Sequence, residues 1–170
     1  MRVAIYAGTF DPITHGHLSV VDRGARLFDE LWIVVAVNPT KHPLFSGEER
    51  VQMIREVTAR WPNVQTTTIS GYVVDLAREY GAGYMIRGVR GATDAEAELA
   101  LANLNHELAP EIETVFVPAH PHLSVVSSSR LKELVLHGED ISPYCSDSVA
   151  RRLTNRLSLS PAEPEETAHV

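Results

Sequence analysis

The sequence predicts an α/β fold: one domain with a parallel sheet flanked by helices. Two observations carry this. Short apolar runs, Arg2–Tyr6 and Leu31–Val37, alternate with longer stretches of helical periodicity. Between those two runs, a helical pattern fills the only connection, and parallel neighbours require such a crossover. The chain has 170 residues, 44% of them hydrophobic, enough for one buried core.

The first run leads into Gly8-Thr9-Phe10-Asp11-Pro12-Ile13-Thr14-His15-Gly16-His17. Leu18 to Phe28 follows as an amphipathic helix, with Leu18, Val21, Ala25 and Phe28 on one stripe. A glycine-containing loop therefore joins a strand to a helix start. His17 falls in or near the first turn, where unpaired backbone N–H groups favour a phosphate. Thr9 adds a hydroxyl, and Gly8 and Gly16 allow close backbone approach. His17 alone reads equally well as a structural histidine; the whole run is more specific.

Leu31–Val37 is a near-continuous apolar strand, ending at Asn38-Pro39-Thr40-Lys41. Lys41 reads by position as a solvated lysine, although open α/β sheets bind ligands at that end of a strand. Ser46-Gly47-Glu48-Glu49 has capping-box spacing and opens a helix to about Arg60, stopped by Trp61-Pro62. In Phe45-Ser46-Gly47-Glu48-Glu49-Arg50, helix capping and surface charge account for most residues.

Val64–Ile69 is a β-favouring outer strand. Val73–Tyr80 is a short helix ending at Gly81, and Ala82–Ile86 is the next strand. Arg87 and Arg90 flank Gly88-Val89 at its C-terminal end, the pattern of an anion clamp or of surface ion pairs. A helix follows from about Asp94 to Leu108, with Thr93-Asp94-Ala95-Glu96 as a second capping box. Ile112–Val117 is the last strand. Leu123 to Arg130 begins a helix that runs to about Leu136, and Ser127, Ser128 and Ser129 at its start suit either capping or phosphate binding. Gly138–Pro143 is a turn, and Val149–Leu157 is the final helix.

The net charge is −7, of which the 160–170 segment supplies −3, so no basic surface favours nucleic acid. That segment, rich in Pro and Glu, is expected to be disordered, leaving 1–159 as the domain. Cys145 is the only cysteine, which excludes an intrachain disulfide and a thiolate metal cluster. The H-x-H pairs His15/His17 and His120/His122 are weak evidence for zinc. No apolar run is long enough to span a bilayer, and the N-terminus lacks signal-peptide character, so a cytoplasmic enzyme is expected. The first loop matches neither a dinucleotide G-x-G-x-x-G fingerprint nor a P-loop.

The Gly8–His17 run resembles the T/H-x-G-H signature of the nucleotidyltransferase superfamily. In its longer form it is similar to the bacterial phosphopantetheine adenylyltransferases, and the resemblance extends from about Arg2 to Leu157. It implies a Rossmann-like fold and adenylyl transfer from ATP to 4'-phosphopantetheine, giving dephospho-coenzyme A and pyrophosphate. It assigns Thr9, His17 and Lys41 to catalysis. The ATP contacts it implies are Thr9, Phe10, His17, Gly88, Val89, Arg90, Glu98 and the run Leu123, Ser124, Val125, Val126, Ser127, Ser128 and Ser129. The acceptor contacts are Thr9, Lys41, Val73, Arg87 and Asn105, with backbone at Tyr72 beside Val73. Mg2+ bound with ATP, a homohexamer built as a dimer of trimers and feedback inhibition by coenzyme A are further implications.

The chain departs from the family pattern at Ala95, Ala97 and Ala100, where Phe, Tyr and Gln are usual, and at Leu123 and Val125. The alanines motivate one alternative, an adenylyltransferase with another phosphate acceptor, such as a mononucleotide; a nucleotide-binding regulator without catalysis is the alternative from another class, and the retained Thr9, His17, Lys41, Arg87 and Arg90 argue against it.

Overall fold

Five parallel strands form one sheet in the order β3-β2-β1-β4-β5 in the computed structural model, which describes residues 1–38 and 40–159 apart from the side chain of Thr93. The strands are β1 (Val3–Gly8), β2 (Glu30–Ala36), β3 (Val64–Ile69), β4 (Tyr84–Val89) and β5 (Glu113–Pro118). Among the described residues the α-helices are α1 (His15–Leu27), α2 (Gly47–Thr58), α3 (Val73–Glu79), α4 (Ala92–Leu108), α5 (Ser128–Leu136) and α6 (Asp147–Leu159). The architecture is Rossmann-like, as the sequence predicts. The expected disorder of 160–170 and the Pro39 position lie outside the described residues.

β1 sits at the centre because it is apolar on both faces. Ala4 and Tyr6 join the core cluster built with α1, α2, α5 and α6, whereas Val3 and Ile5 join the cluster on the opposite face with α3. Alternation of period two thus buries both faces of one strand. β1 pairs with β2 on one side and β4 on the other. The chain order reverses there, so a crevice opens beyond the C-terminal ends of β1 and β4, where α/β sheets receive ligands.

Gly24 sets how closely α1 lies on this sheet. A Cβ at that position would stand 2.8 Å from Ile86 Cδ1 and 2.9 Å from Leu31 Cδ2. α2 starts as its sequence predicts: Ser46 Oγ accepts from Glu49 N, and the Glu49 carboxylate accepts from Ser46 N.

Four local expectations are corrected. α1 begins at His15, so His17 is its third residue, inside the first turn. β4 begins at Tyr84 and includes Arg87, Gly88 and Val89, because pairing with β5 continues to Val89–Pro118. α4 begins at Ala92 with Gly91 as its cap, two residues before the expected start, and Asp94 accepts from the Arg90 backbone N–H; the capping-box expectation at Thr93 falls on a side chain outside those described. Pro121–Leu123 is a separate 3-10 turn, and α5 begins only at Ser128, with Ser127 as its cap.

Candidate functional site

The β1–α1 loop is built to hold one shape. Phe10 has φ of +49°, left-handed backbone that a non-glycine residue adopts at a cost of about 1–3 kcal/mol. Packing keeps it there: its ring is buried edge-on against Tyr6 (5.3 Å) and His17 (5.1 Å). Gly8 is required beside it, since a Cβ there would stand 2.9 Å from Phe10 Cζ. Asp11, 5% exposed, accepts from Leu44 N and Phe45 N (2.9 Å each) and from Lys132 Nζ (2.5 Å). One carboxylate therefore joins the loop to the start of α2 and to α5. Arg50 holds the loop from below. It is 1% exposed, so the surface-charge reading of that arginine is corrected.

His17 is fixed by a capping box with Thr14. Thr14 N donates to His17 Nδ1 (3.1 Å), and Thr14 Oγ1 accepts from His17 N (3.3 Å). With Nδ1 accepting, the neutral ring carries its proton on Nε2. Burial, and then the Arg90 charge, push its pKa down to about 4. His17 is thus an uncharged hydrogen-bond donor at neutral pH, in the wall of a cavity of about 450 Å³.

That cavity fills the crevice between β1 and β4. Thr9, Phe10, His17, Arg87, Gly88, Arg90, Glu98, Val126, Ser127, Ser128 and Ser129 line it, from the set that the sequence singles out. Each arginine meets a carboxylate on α4. Arg87 Nε donates to Glu98, and Arg90 Nη2 donates to Asp94 (2.8 Å). The bond from Arg90 holds Asp94 below the usual carboxylate range. Asp94 and Glu98 are four residues apart and so share one helix face. Ser127 Oγ accepts from Arg130 N (3.0 Å), and Ser128 Oγ donates to Pro12 O (2.8 Å). These two hydroxyls shape the wall, while the start of α5 brings backbone N–H groups to it.

A second cavity, about 270 Å³ and mainly apolar, lies across β4 between α3 and α4. Val73 and Asn105 line it with Tyr72, Met85, Leu101, Leu104 and Leu108. Arg87 and Ala7 border both cavities. One guanidinium therefore stands where the two meet.

Five expected residues lie elsewhere. Lys41 is exposed and lines neither cavity. Val89 ends β4 outside both. Leu123 is buried in the core, Ser124 Oγ donates to Pro121 O (2.8 Å), and Val125 is 71% exposed. The 3-10 turn carries these three away from the cavity before Val126 re-enters it. Conversely, Tyr6, Asp11, Asp94 and Lys132 line the cavity without having been singled out as site residues. Burial pushes the Tyr6 hydroxyl far up, so it stays protonated. Asp11 and Asp94 lie within motifs that the sequence displays, but Lys132 gives no signal beyond its charge. The rings of His120 and His122 stack at 5.7 Å. Among the described residues, no three His, Cys, Asp or Glu side chains are grouped to hold a metal ion, and no helix is long and apolar enough to cross a membrane.

A crystal structure from Vibrio parahaemolyticus, of a candidate nicotinate-nucleotide adenylyltransferase, is similar to this chain. It aligns with a TM-score of 0.68 over 91% of this chain and 93% of that one, at 20% identity. The likeness is one of fold. A family model described as cytidylyltransferase-like matches residues 5–134, which include the β1–α1 loop, both arginines and the start of α5. The chain belongs to the cytidylyltransferase-like family of nucleotidyltransferases.

Proposed function

We propose that the protein transfers the adenylyl group of ATP to a phosphate-bearing acceptor and releases pyrophosphate. The observation that carries this is the placing of Arg87 between a polar, donor-rich cavity and an apolar one. The polar cavity suits a nucleotide triphosphate: His17, Arg90, Lys132 and the α5 N-terminus all offer donors. An acceptor phosphate at Arg87 then stands next to the α-phosphorus. One of its oxygens forms a bond to that phosphorus in line, the bond to the bridging oxygen of pyrophosphate breaks, and pyrophosphate leaves with the electron pair. The attacking oxygen is already ionised, so no general base is needed. Catalysis rests on positioning and on donors aimed at the developing charge. The neutral His17 ring would donate Nε2–H to the α-phosphate, with Thr9 orienting it. Lys41 would contribute only when the turn after β2 brings its side chain over the cavity.

The carboxylates in the polar cavity, Asp11, Asp94 and Glu98, are all engaged with cations. They do not form a metal cage, so Mg2+ would be held by the nucleotide's own phosphates, whose charge it would neutralise.

The apolar cavity favours 4'-phosphopantetheine as acceptor: a long, mostly uncharged arm would lie along Val73, Leu101, Leu104 and Asn105, with its phosphate at Arg87. A mononucleotide acceptor is the second reading, and the Vibrio parahaemolyticus structure favours it. On the first reading the enzyme is cytoplasmic and serves coenzyme A synthesis. Coenzyme A, which carries both the pantetheine arm and the nucleotide, would then inhibit by occupying both cavities. Leu99 on α4 and Phe116 on β5, exposed and outside both cavities, supply apolar surface for the expected homohexamer. Pyrophosphate release from ATP, measured with 4'-phosphopantetheine, nicotinate mononucleotide and nicotinamide mononucleotide, tests the assignment. The highest kcat/KM should belong to 4'-phosphopantetheine. A mononucleotide preference replaces the acceptor, and ATP binding without turnover of any acceptor makes the protein a regulator.

A further inference from the structure

Arg50 stands apart among the described basic residues by its burial. It is 1% exposed, and its hydrogen bonds all go to backbone carbonyls rather than to a carboxylate. Nη1 donates to Thr9 O (2.8 Å) and to Ala36 O (3.3 Å), and Nε donates to Ser46 O (3.2 Å). These carbonyls belong to three separate pieces of the site's floor: the residue after β1, the last residue of β2 and the cap of α2. Burying a guanidinium is costly unless its N–H groups are satisfied. Burial pulls the Arg50 pKa down, and the charge of Asp11 opposes that pull. A helix–sheet contact alone would be served as well by an apolar side chain of this volume. What the guanidinium adds is a rigid fork that spaces carbonyls at fixed distances.

The fork grips the chain one residue before its most constrained point. Phe10, next after Thr9, is the left-handed residue, and its ring packs on His17. A shift of the Thr9 carbonyl would move Thr9, Phe10 and the wall carrying His17 together. Asp11 restrains the far side of the same turn through Leu44 N, Phe45 N and Lys132. The loop is thus held at two points by opposite charges, one below the strand end and one beyond it.

We propose that Arg50 is a positioning residue: from beneath the β1–α1 loop it fixes the Thr9 carbonyl, and through it the register of Thr9 and His17 against the reacting phosphate. The catalytic half of this inference rests on the adenylyl-transfer reading; the loop half does not. Misplacing a reacting group by about 1 Å can cost about 100-fold in rate while leaving ground-state binding largely intact.

Arg50→Lys and Arg50→Met test it, with Asn63→Ala as a destabilised control: it loses the bonds from Asn63 Nδ2 to Ala25 O (2.8 Å) and Phe28 O (3.1 Å), and Asn63 lines neither cavity. Lysine keeps the charge but is a point donor and cannot reproduce the fork. Three quantities are read on each folded protein: kcat for pyrophosphate release, Kd for ATP, and hydrogen exchange of the peptide spanning residues 8–13. Arg50→Lys should lose at least 30-fold in kcat, change the ATP Kd by less than threefold, and exchange at least tenfold faster across 8–13. Asn63→Ala should lower the melting temperature without any of these changes. If Arg50→Met does not fold, Arg50→Lys decides. Turnover within threefold of the parent, or unchanged exchange across 8–13 in folded Arg50→Lys, overturns the proposal. If the parent turns over no acceptor, the adenylyl-transfer reading fails, and the 8–13 exchange alone decides whether Arg50 fixes the loop.

Discussion

Asp11→Asn is the substitution for which the geometry gives the clearest magnitude. The carboxylate accepts two backbone N–H bonds of 2.9 Å and pairs with Lys132 at 2.5 Å, with its side chain 7% exposed. Asparagine keeps the volume and one acceptor oxygen. Its amide nitrogen must then face either a backbone N–H or the Lys132 ammonium, both donors. One buried N–H left unsatisfied costs about 1–3 kcal/mol. Breaking a fully buried ion pair by removing one partner costs about 3–5 kcal/mol. The Lys132 side chain is 28% exposed and recovers part of its hydration, so that second cost is reduced. The sum is about 3 kcal/mol. For a chain of this length, that lowers the melting temperature by about 6–12 °C. Thermal unfolding followed by circular dichroism, with urea unfolding to fix the slope, measures it. Asp140→Asn, an exposed carboxylate bonded only to Ser142, is the control and should leave the melting temperature nearly unchanged. The double variant with Lys132→Met should lose less than the two single losses added, since the orphaned charge is gone. A fall below 2 °C for Asp11→Asn would show that the Asp11 bonds do not restrain the loop.

Four further outcomes are expected. His17→Ala should lower turnover about 100- to 1,000-fold with little change in ATP affinity, as for loss of one transition-state donor; near-parental turnover of the folded variant removes His17 from the mechanism. Because His17 is held neutral with a pKa pushed down to about 4, unfolding takes up a proton between pH 4 and 6.5. Stability from this residue should therefore be complete above 6.5 and fall by about 3 kcal/mol as the pH drops to 4, and His17→Gln should flatten that slope in urea titrations. Arg87→Ala should raise the acceptor KM more than the ATP Kd, and Arg90→Ala the reverse; equal, small effects on both ligands would sink the division of roles. Gly24→Ala gains about 1 kcal/mol of helix propensity but must displace Ile86 and Leu31 at 2.8–2.9 Å, an overpacking cost of about 1–3 kcal/mol, so a small net destabilisation is expected in thermal melts.

The fold was legible because period and punctuation agree along most of the chain. Apolar runs bounded by Gly, Pro and Asn mark the strands, and Ser46-x-x-Glu49 marks a helix start that forms as written. Boundaries failed where tertiary pairing overrides local signals. β4 runs on through Arg87-Gly88-Val89 because β5 stays beside it, and no property of those three residues announces it. The start of α4 was misplaced because its cap is Gly91, which carries no capping side chain, and because Asp94 is drawn to Arg90, a partner outside the helix. The site was legible where its residues crowd into one motif, as in Gly8–His17. Arg50 was not, because an arginine in an amphipathic helix looks the same whether its tip reaches water or a carbonyl. Lys132 was not, because only the close approach of α5 to the first loop brings it to Asp11. The alanines that set this chain apart, Ala95, Ala97 and Ala100, line neither cavity, and the last two are exposed.

A protein of net charge −7 carries a cavity suited to a polyphosphate, and the charge arrangement resolves the conflict. Arg87, Arg90 and Lys132 are each paired with a carboxylate, Glu98, Asp94 and Asp11 respectively. Three unpaired cations converging on a cavity would repel one another and destabilise the fold. Pairing removes that repulsion, and it does not consume the donors. A guanidinium has five N–H groups in a planar fork. Glu98 takes Nε of Arg87 and Ala7 O takes one N–H of Nη1 at 3.4 Å, which leaves further N–H groups for an anion. The uncharged donors act without any repulsion: Nε2–H of neutral His17 and the N–H groups at the start of α5. Local geometry, not net charge, decides what such a cavity can hold. It does so by separating the cost of gathering positive charge, met by the α4 and loop carboxylates, from the supply of hydrogen-bond donors, which remain available to phosphate.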